Sequence, residues 1–171
     1  PYPFIREGGP AIRPIRPSVA FGVSPAGVWR NVQDDPQGSQ TQAGAPSFDV
    51  AYADTRRWVR EELVDYIVPQ IYWPFARQIV RYDTIARWWA DTVGSGRVHL
   101  YIGMALYKVG IANALEPDWT IAGGVPEIAR QLDLNAALPQ IRGCMLFRQG
   151  FIAQPQTGQV VDYLKLRWQG S

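Results

Sequence analysis

Four near-continuous apolar runs, each followed by a segment with helical periodicity, do most to constrain how this chain can fold. The runs are SVAFGVS (18–24), VDYIVPQIYW (64–73), VHLYIGMALY (98–107) and IRGCMLFRQG (141–150). None alternates cleanly between apolar and polar residues, and parallel strands covered on both faces read this way. The intervening segments change period. AYADTRRWVREELV places Tyr52, Thr55, Trp58, Val59 and Leu63 at helical spacing, and YDTIARWWADTV does the same with Ile85, Trp88, Trp89 and Val93. Asp83 reads as the cap of this second helix, with Gly94 and Gly96 ending it. VPEIARQLDLNAAL has Pro126 in its first turn and Glu127 where the helix dipole favours an acid. QVVDYLKLRW supplies a last helix with Val161, Leu164 and Trp168 on one side. Strand then helix, four times over, implies an α/β fold with a parallel sheet and right-handed crossovers.

The loops are asymmetric. Those from helix to strand are short (EELVD, GSGR, LPQ), whereas those from strand to helix are long, the first running from 25 to 48 and the third from 108 to 125. Long loops after the carboxyl ends of strands are where barrels and open α/β sheets build their sites. The second strand therefore ends in a functional rim, which explains why an apolar run finishes with Pro69, Gln70, Tyr72, Trp73 and Phe75. Pro69 is tolerable there because the ladder is running out.

Composition narrows the function. The chain has 171 residues and a net charge of +2 without a basic run, so a nucleic-acid partner is not expected. Seven tryptophans and eight tyrosines suit a core, and equally a surface that stacks on sugar rings. His99 stands at the start of its strand and, without a neighbouring His or Cys, makes no metal site. Cys144 reads as a small buried hydrophobe. No phosphate-binding glycine loop or nucleophile elbow is present, and no cofactor is expected.

At the first rim, Ser24, Trp29, Arg30 and Asn31 are candidates to face a ligand; a turn with one buried Trp is the open alternative. At the second, Gln70 and Tyr72 share one face by the two-residue period and Trp73 takes the other. An amide beside a ring suits a sugar, offering hydrogen bonds and stacking, while Trp73 packing under its own loop stays open. At the third rim Tyr107 precedes Lys108, which reads as a solvated loop charge. At the fourth, Arg148 follows Phe147 and reads as a structural salt-bridge partner, or as a cation for a carboxylate. Glycoside hydrolysis needs two facing carboxylates. The acids near the rim are Asp34, Asp35 and Asp49 in the first loop and Glu116 and Asp118 in the third, and acids in long polar loops are usually solvated.

FGVSPAGVWRN, YADTRRWV, DYIVPQIYW and VHLYIGMALYKVG together resemble the glycosyl-hydrolase-like 10 family of secreted and lipoprotein bacterial proteins. The resemblance implies a (β/α)8 TIM-type barrel and an activity like that of family glucosaminidases, which cut peptidoglycan glycan strands stripped of their peptides. It implies substrate-side roles for Trp29, Arg30, Gln70, Tyr72, Trp73 and Tyr107, with Asn31 added as a substrate-binding candidate from its place at the first rim, and a secreted or cell-envelope location. The family's paired aspartates end an earlier strand and have no counterpart here. Residues 1–171 thus resemble strands five to eight, the carboxyl-terminal half of one barrel domain. The catalytic acids are expected upstream, with Asp34, Asp35 and Asp49 as the substitutes within the chain. A chain that starts without Met is expected to come from a longer one, and to pair with the missing half or a second copy. The first residues, IREGGPAIRPIRPS, hold two glycines and three prolines and are expected to make a poor helix.

Overall fold

Parallel pairing follows from the strand–helix alternation. In the computed structural model, which describes residues 1–169, β1 (Gly22–Val23), β2 (Tyr66–Ile67), β3 (His99–Met104) and β4 (Ile141–Leu146) form one sheet in the order β1-β2-β3-β4. Every neighbouring pair is parallel. The strands are shorter than the apolar runs suggest, and Pro69 is one cause. Having no N–H, it interrupts the ladder after Ile67; its carbonyl still accepts from Gly103 (2.9 Å), and pairing resumes with Gln70 N to Pro25 O (3.0 Å) and Ile71 N to Gly103 O (3.0 Å).

The helices are α1 (Tyr2–Ile12), α2 (Ser47–Ala51), α3 (Thr55–Arg60), α4 (Tyr82–Val93), α5 (Val125–Ala137) and α6 (Gly158–Trp168). α4 packs on β3, and α5 on β4. Between sheet and helices lies the core, where Ile67, Ile71, Leu100, Ile102 and Met104 are fully buried. The opposite sheet face carries Tyr66 in edge contact with Tyr101 (6.1 Å), with Met145 47% exposed. Ile67 and Ile71 are buried in the core, whereas Tyr66 lines the open side.

Three local expectations change. Residues 2–12 are helical despite Gly8, Gly9 and Pro10. Packing outweighs the propensity cost: a Cβ at Gly8 would fall 2.6 Å from the Phe21 ring, Ile5 and Gly9 are buried, and the Arg57 guanidinium sits 4.1 Å from the Tyr2 ring centre. Pro14 and Pro17 lie beyond the helix end. Tyr52 is exposed and ends α2 in a left-handed conformation, so it does not belong to the apolar face of α3, whose cap is Asp54. Asp83 does not cap α4; Arg81 stands there, and Asp83 lies in the first turn paired with it (2.9 Å).

α5 carries a buried acid. Glu127 Oε1 accepts from Phe75 N (3.1 Å) and from Gln131 Nε2 (2.7 Å). Burial pushes the Glu127 carboxyl up, the hydrogen bonds from Gln131 and Phe75 pull it back, the Asp118 charge raises it and the Arg130 charge lowers it. Gln131 Oε1 and Asp118 Oδ2 nearby are buried acceptors without a hydrogen-bond donor. A carboxyl whose folded pKa exceeds its unfolded value stabilises most below the unfolded value, about 4.3, and loses that contribution as pH rises through the folded one. Glu127→Gln is therefore expected to gain stability over the parent as pH rises above the unfolded carboxylate value, and to level off once the folded carboxyl has ionised. Denaturation midpoints of the two proteins as a function of pH check this; a constant gap counts against it.

Candidate functional site

The carboxyl ends of β1 and β2 are tied together by side chains. Gln70 Nε2 donates to Ser24 O (3.0 Å) and Oγ (3.2 Å), and Ser24 Oγ donates to Val68 O (2.9 Å). Gly27 allows the close approach of the first loop, since a Cβ there would lie 2.5 Å from Gln70 O. The Trp73 ring also lies against Gly27, which leaves Trp73 partly buried.

Tyr72 opens an aromatic cluster that spans the next two strand ends. Its ring meets Tyr107 edge-on (5.6 Å, 76°) and Phe147 at a tilt (5.7 Å), while Tyr107 meets Phe147 edge-on (5.8 Å) and Phe151 at a tilt (6.2 Å). Residues after β2, β3 and β4 thus form one apolar wall. Burial pushes the Tyr72 phenol up to about 12, with the Tyr107 ring adding to it, and burial followed by the Glu116 charge raises Tyr107. Both are neutral hydroxyls at physiological pH, able to donate and accept. Phe147 is 46% exposed and Arg148 stands beside the wall, its guanidinium 5.7 Å from the Phe151 ring centre. Among the described residues Arg148 has no carboxylate partner, so the expected structural salt bridge is not formed.

Two charged residues of the third loop are more enclosed than their types suggest. Lys108 is not a solvated charge; its Nζ donates to Glu116 Oε2 (2.7 Å), which also accepts from Trp119 Nε1 (2.8 Å). Glu116 is itself buried, unlike an ordinary loop acid. The pair fixes the backbone next to Tyr107.

The first-loop candidates lie elsewhere. Trp29 is 5% exposed, stacked on Trp88 (6.0 Å, 16°), with Nε1 donating to Asp54 (3.0 Å). Arg30 is held by Asp49 (2.8 Å) and Asp35 (3.4 Å), lining a surface groove with Phe48, Arg56 and Arg60. Asn31 is 4% exposed; its amide donates to Asp34 (3.2 Å) and Ala43 O (3.0 Å), and its Oδ1 accepts from Thr41 (2.9 Å) and Ala43 N (2.7 Å). Asp34 and Asp35 in the loop and Asp49 in the first turn of α2 are thus all engaged locally, with Arg30, Asn31 or the backbone. Among the described residues no hydrogen bond, ion pair or ring contact joins Trp29, Arg30 or Asn31 to Tyr72 or Tyr107. The structure brings Gln70, Tyr72, Trp73 and Tyr107 to one rim, joined by Phe147 and Phe151. Phe147 and Phe151 were legible only as aromatics flanking Arg148 in LFRQGF; Glu127 and Gln131 carried no such signal.

His99 lines a cavity of roughly 700 Å³ at the amino ends of the strands, with Arg13, Asp65, Tyr66 and Tyr101. There Asp65 accepts from Phe21 N (2.7 Å) and Arg13 (2.9 Å), which hold its carboxyl below the usual range.

Comparison with known proteins agrees with this arrangement. The profile of the family described as Glycosyl hydrolase-like 10 matches residues 3–121. The chain is 59% identical over 157 residues to glycosyl hydrolase DigH of Escherichia coli K12, covering 92% of this chain and 36% of that protein. It is 44% identical over 143 residues to glycosyl hydrolase YngK of Bacillus subtilis, covering 84% of this chain and 27% of that protein. The chain therefore spans about a third of the length of the curated relatives it matches. With a parallel α/β sheet, a rim at the strand ends and this extent of similarity, the chain belongs to the glycosyl hydrolase-like 10 family.

Proposed function

We propose that residues 1–171 form strands five to eight of a (β/α)8 glycoside hydrolase barrel and contribute the substrate-side rim for bacterial cell-wall glycan. The single observation that carries this reading is the wall of Tyr72, Tyr107, Phe147 and Phe151 across three adjacent strand ends. Aromatic faces stack on the C–H surfaces of sugar rings, and amides and phenols bond their hydroxyls. The two relatives named above are glycosyl hydrolases, which supports this chemistry. The substrate reading is the peptidoglycan glycan strand of a secreted or envelope protein, the catalytic acids coming from the part of the barrel that precedes this one.

A second reading, a non-catalytic glycan-binding module, draws on one observation: Asp34, Asp35 and Asp49, the acids around the first loop, are committed to Arg30, Asn31 or the backbone. Substitution separates it from the first. Tyr107→Ala and Tyr72→Ala in the full-length protein are each expected to weaken chito-oligosaccharide binding about fivefold, the worth of one ring contact at about 1 kcal/mol. Turnover falls in parallel if the rim serves catalysis. Unchanged binding in both variants, measured by calorimetry, removes the rim assignment.

A further inference from the structure

The segment after Ile71 has left the sheet, yet it carries the ring that opens the aromatic wall. Ile71 N makes the last ladder bond, to Gly103 O. Beyond it, two backbone groups find partners on α5: Phe75 N donates to Glu127 Oε1 (3.1 Å), and Trp73 O accepts from Gln131 Nε2 (3.4 Å). Pro74 between them has no N–H to offer. The Arg130 guanidinium lies 4.0 Å from the Phe75 ring centre, so residues 127, 130 and 131, one face of one helical turn, together grip residues 73–75. Glu127 and Gln131 are 4% and 0% exposed, and neither makes a hydrogen bond or ring contact with Tyr72, Tyr107 or Phe147.

We propose that Glu127, acting with Gln131, is a positioning residue for the rim: it fixes residues 73–75 and thereby the Tyr72 ring that faces the glycan. This rests on the glycan reading above. A buried acid is a costly way to fill space, and a hydrophobe of the same size would do so without desolvating a carboxyl. What the acid supplies is an acceptor for Phe75 N and for Gln131, which in turn orients the Gln131 amide toward Trp73 O. With Ile71 held by the ladder and residues 73–75 held by α5, Tyr72 is fixed from both sides, so its ring meets ligand without prior ordering.

The test compares Glu127→Gln, which keeps the acceptor, with Glu127→Leu, which removes it, in the full-length protein. Chito-oligosaccharide affinity is expected to stay within about twofold of the parent in E127Q and to fall about tenfold in E127L at a temperature where both are folded. Hydrogen exchange at the Phe75 amide is expected to speed up by about a hundredfold in E127L alone. Rescue by E127Q is the signature of positioning by the acceptor. Parent-like affinity in E127L, or an equal fall in both variants, overturns the proposal. If E127L does not fold, Gln131→Met takes its place, and parent-like affinity and exchange around Trp73 then overturn it. If the parent itself does not bind the oligosaccharide, the glycan reading fails, and Phe75 exchange still decides whether Glu127 holds this segment.

Discussion

Trp89→Ala is expected to lower the midpoint of thermal unfolding by at least about 10 °C, and to leave little folded protein at 37 °C. Trp89 is fully buried and its ring meets Trp88 edge-on at 4.9 Å. Truncating a buried Trp costs about 3–5 kcal/mol through lost transfer energy and the cavity left behind. Its Nε1 also donates to Gly27 O (2.7 Å), and that carbonyl would lose its partner at a further cost of about 1–3 kcal/mol. Whole-domain stability is only about 5–15 kcal/mol, so the sum is decisive. The damage spreads to the first loop, because Trp88 stacks on Trp29 and its Nε1 donates to Gln37 O (3.0 Å). Trp89→Phe separates the two contributions, keeping most of the ring and losing the N–H; it is expected to cost about 1–3 kcal/mol. Circular dichroism melts of both variants check the ordering, and a drop below about 5 °C for the alanine variant contradicts it.

The legible part of this fold is the part that periodicity controls. Runs of apolar residues without alternation mark strands that pair in parallel, and the change to helical spacing marks α4 and α5 within a residue or two. The rim at Gln70, Tyr72 and Tyr107 was legible for the same reason, since an amide and aromatics stood where a buried strand should end. What propensity suggested and packing overruled is seen at α1, where Gly8 is required by the Phe21 ring. The first-loop candidates illustrate a different limit. Trp29, Arg30 and Asn31 look the same whether they meet a ligand or their own loop, and only long-range partners decide. Asn31 closes on Ala43, and Trp29 on Asp54 and Trp88. Glu127 read as an acid favoured by the helix dipole, yet its partner is an amide 52 residues earlier, at Phe75. Likewise Lys108 and Glu116 read as solvated charges until the loop folds them together, with Trp119 beneath.

The chain by itself is expected to associate in solution rather than remain a monomer. Among the described residues its sheet is open at β1 and at β4, and unpaired strand edges invite further strands. The face opposite the helices presents Tyr66 and Tyr101 with the exposed Met145 and Phe147. A second apolar hollow of about 350 Å³ lies beside β4, lined by Leu106, Leu146, Ile152 and Leu164. Large exposed apolar surfaces are usually covered in stable proteins. The relatives are about three times as long as the matched segment, and on the barrel reading proposed above the rest of the barrel, or a second copy in its place, would cover this surface. Light scattering on residues 1–171 is therefore expected to report a dimer or larger species, and a longer protein that includes the preceding strands a monomer. The same short chain is expected not to hydrolyse chito-oligosaccharides, because Asp34, Asp35 and Asp49 are bound up with Asn31 and Arg30. A compact monomer at every concentration would remove the half-barrel reading. Turnover by the short chain that is lost in Asp49→Asn would instead move the catalytic acids into the first loop.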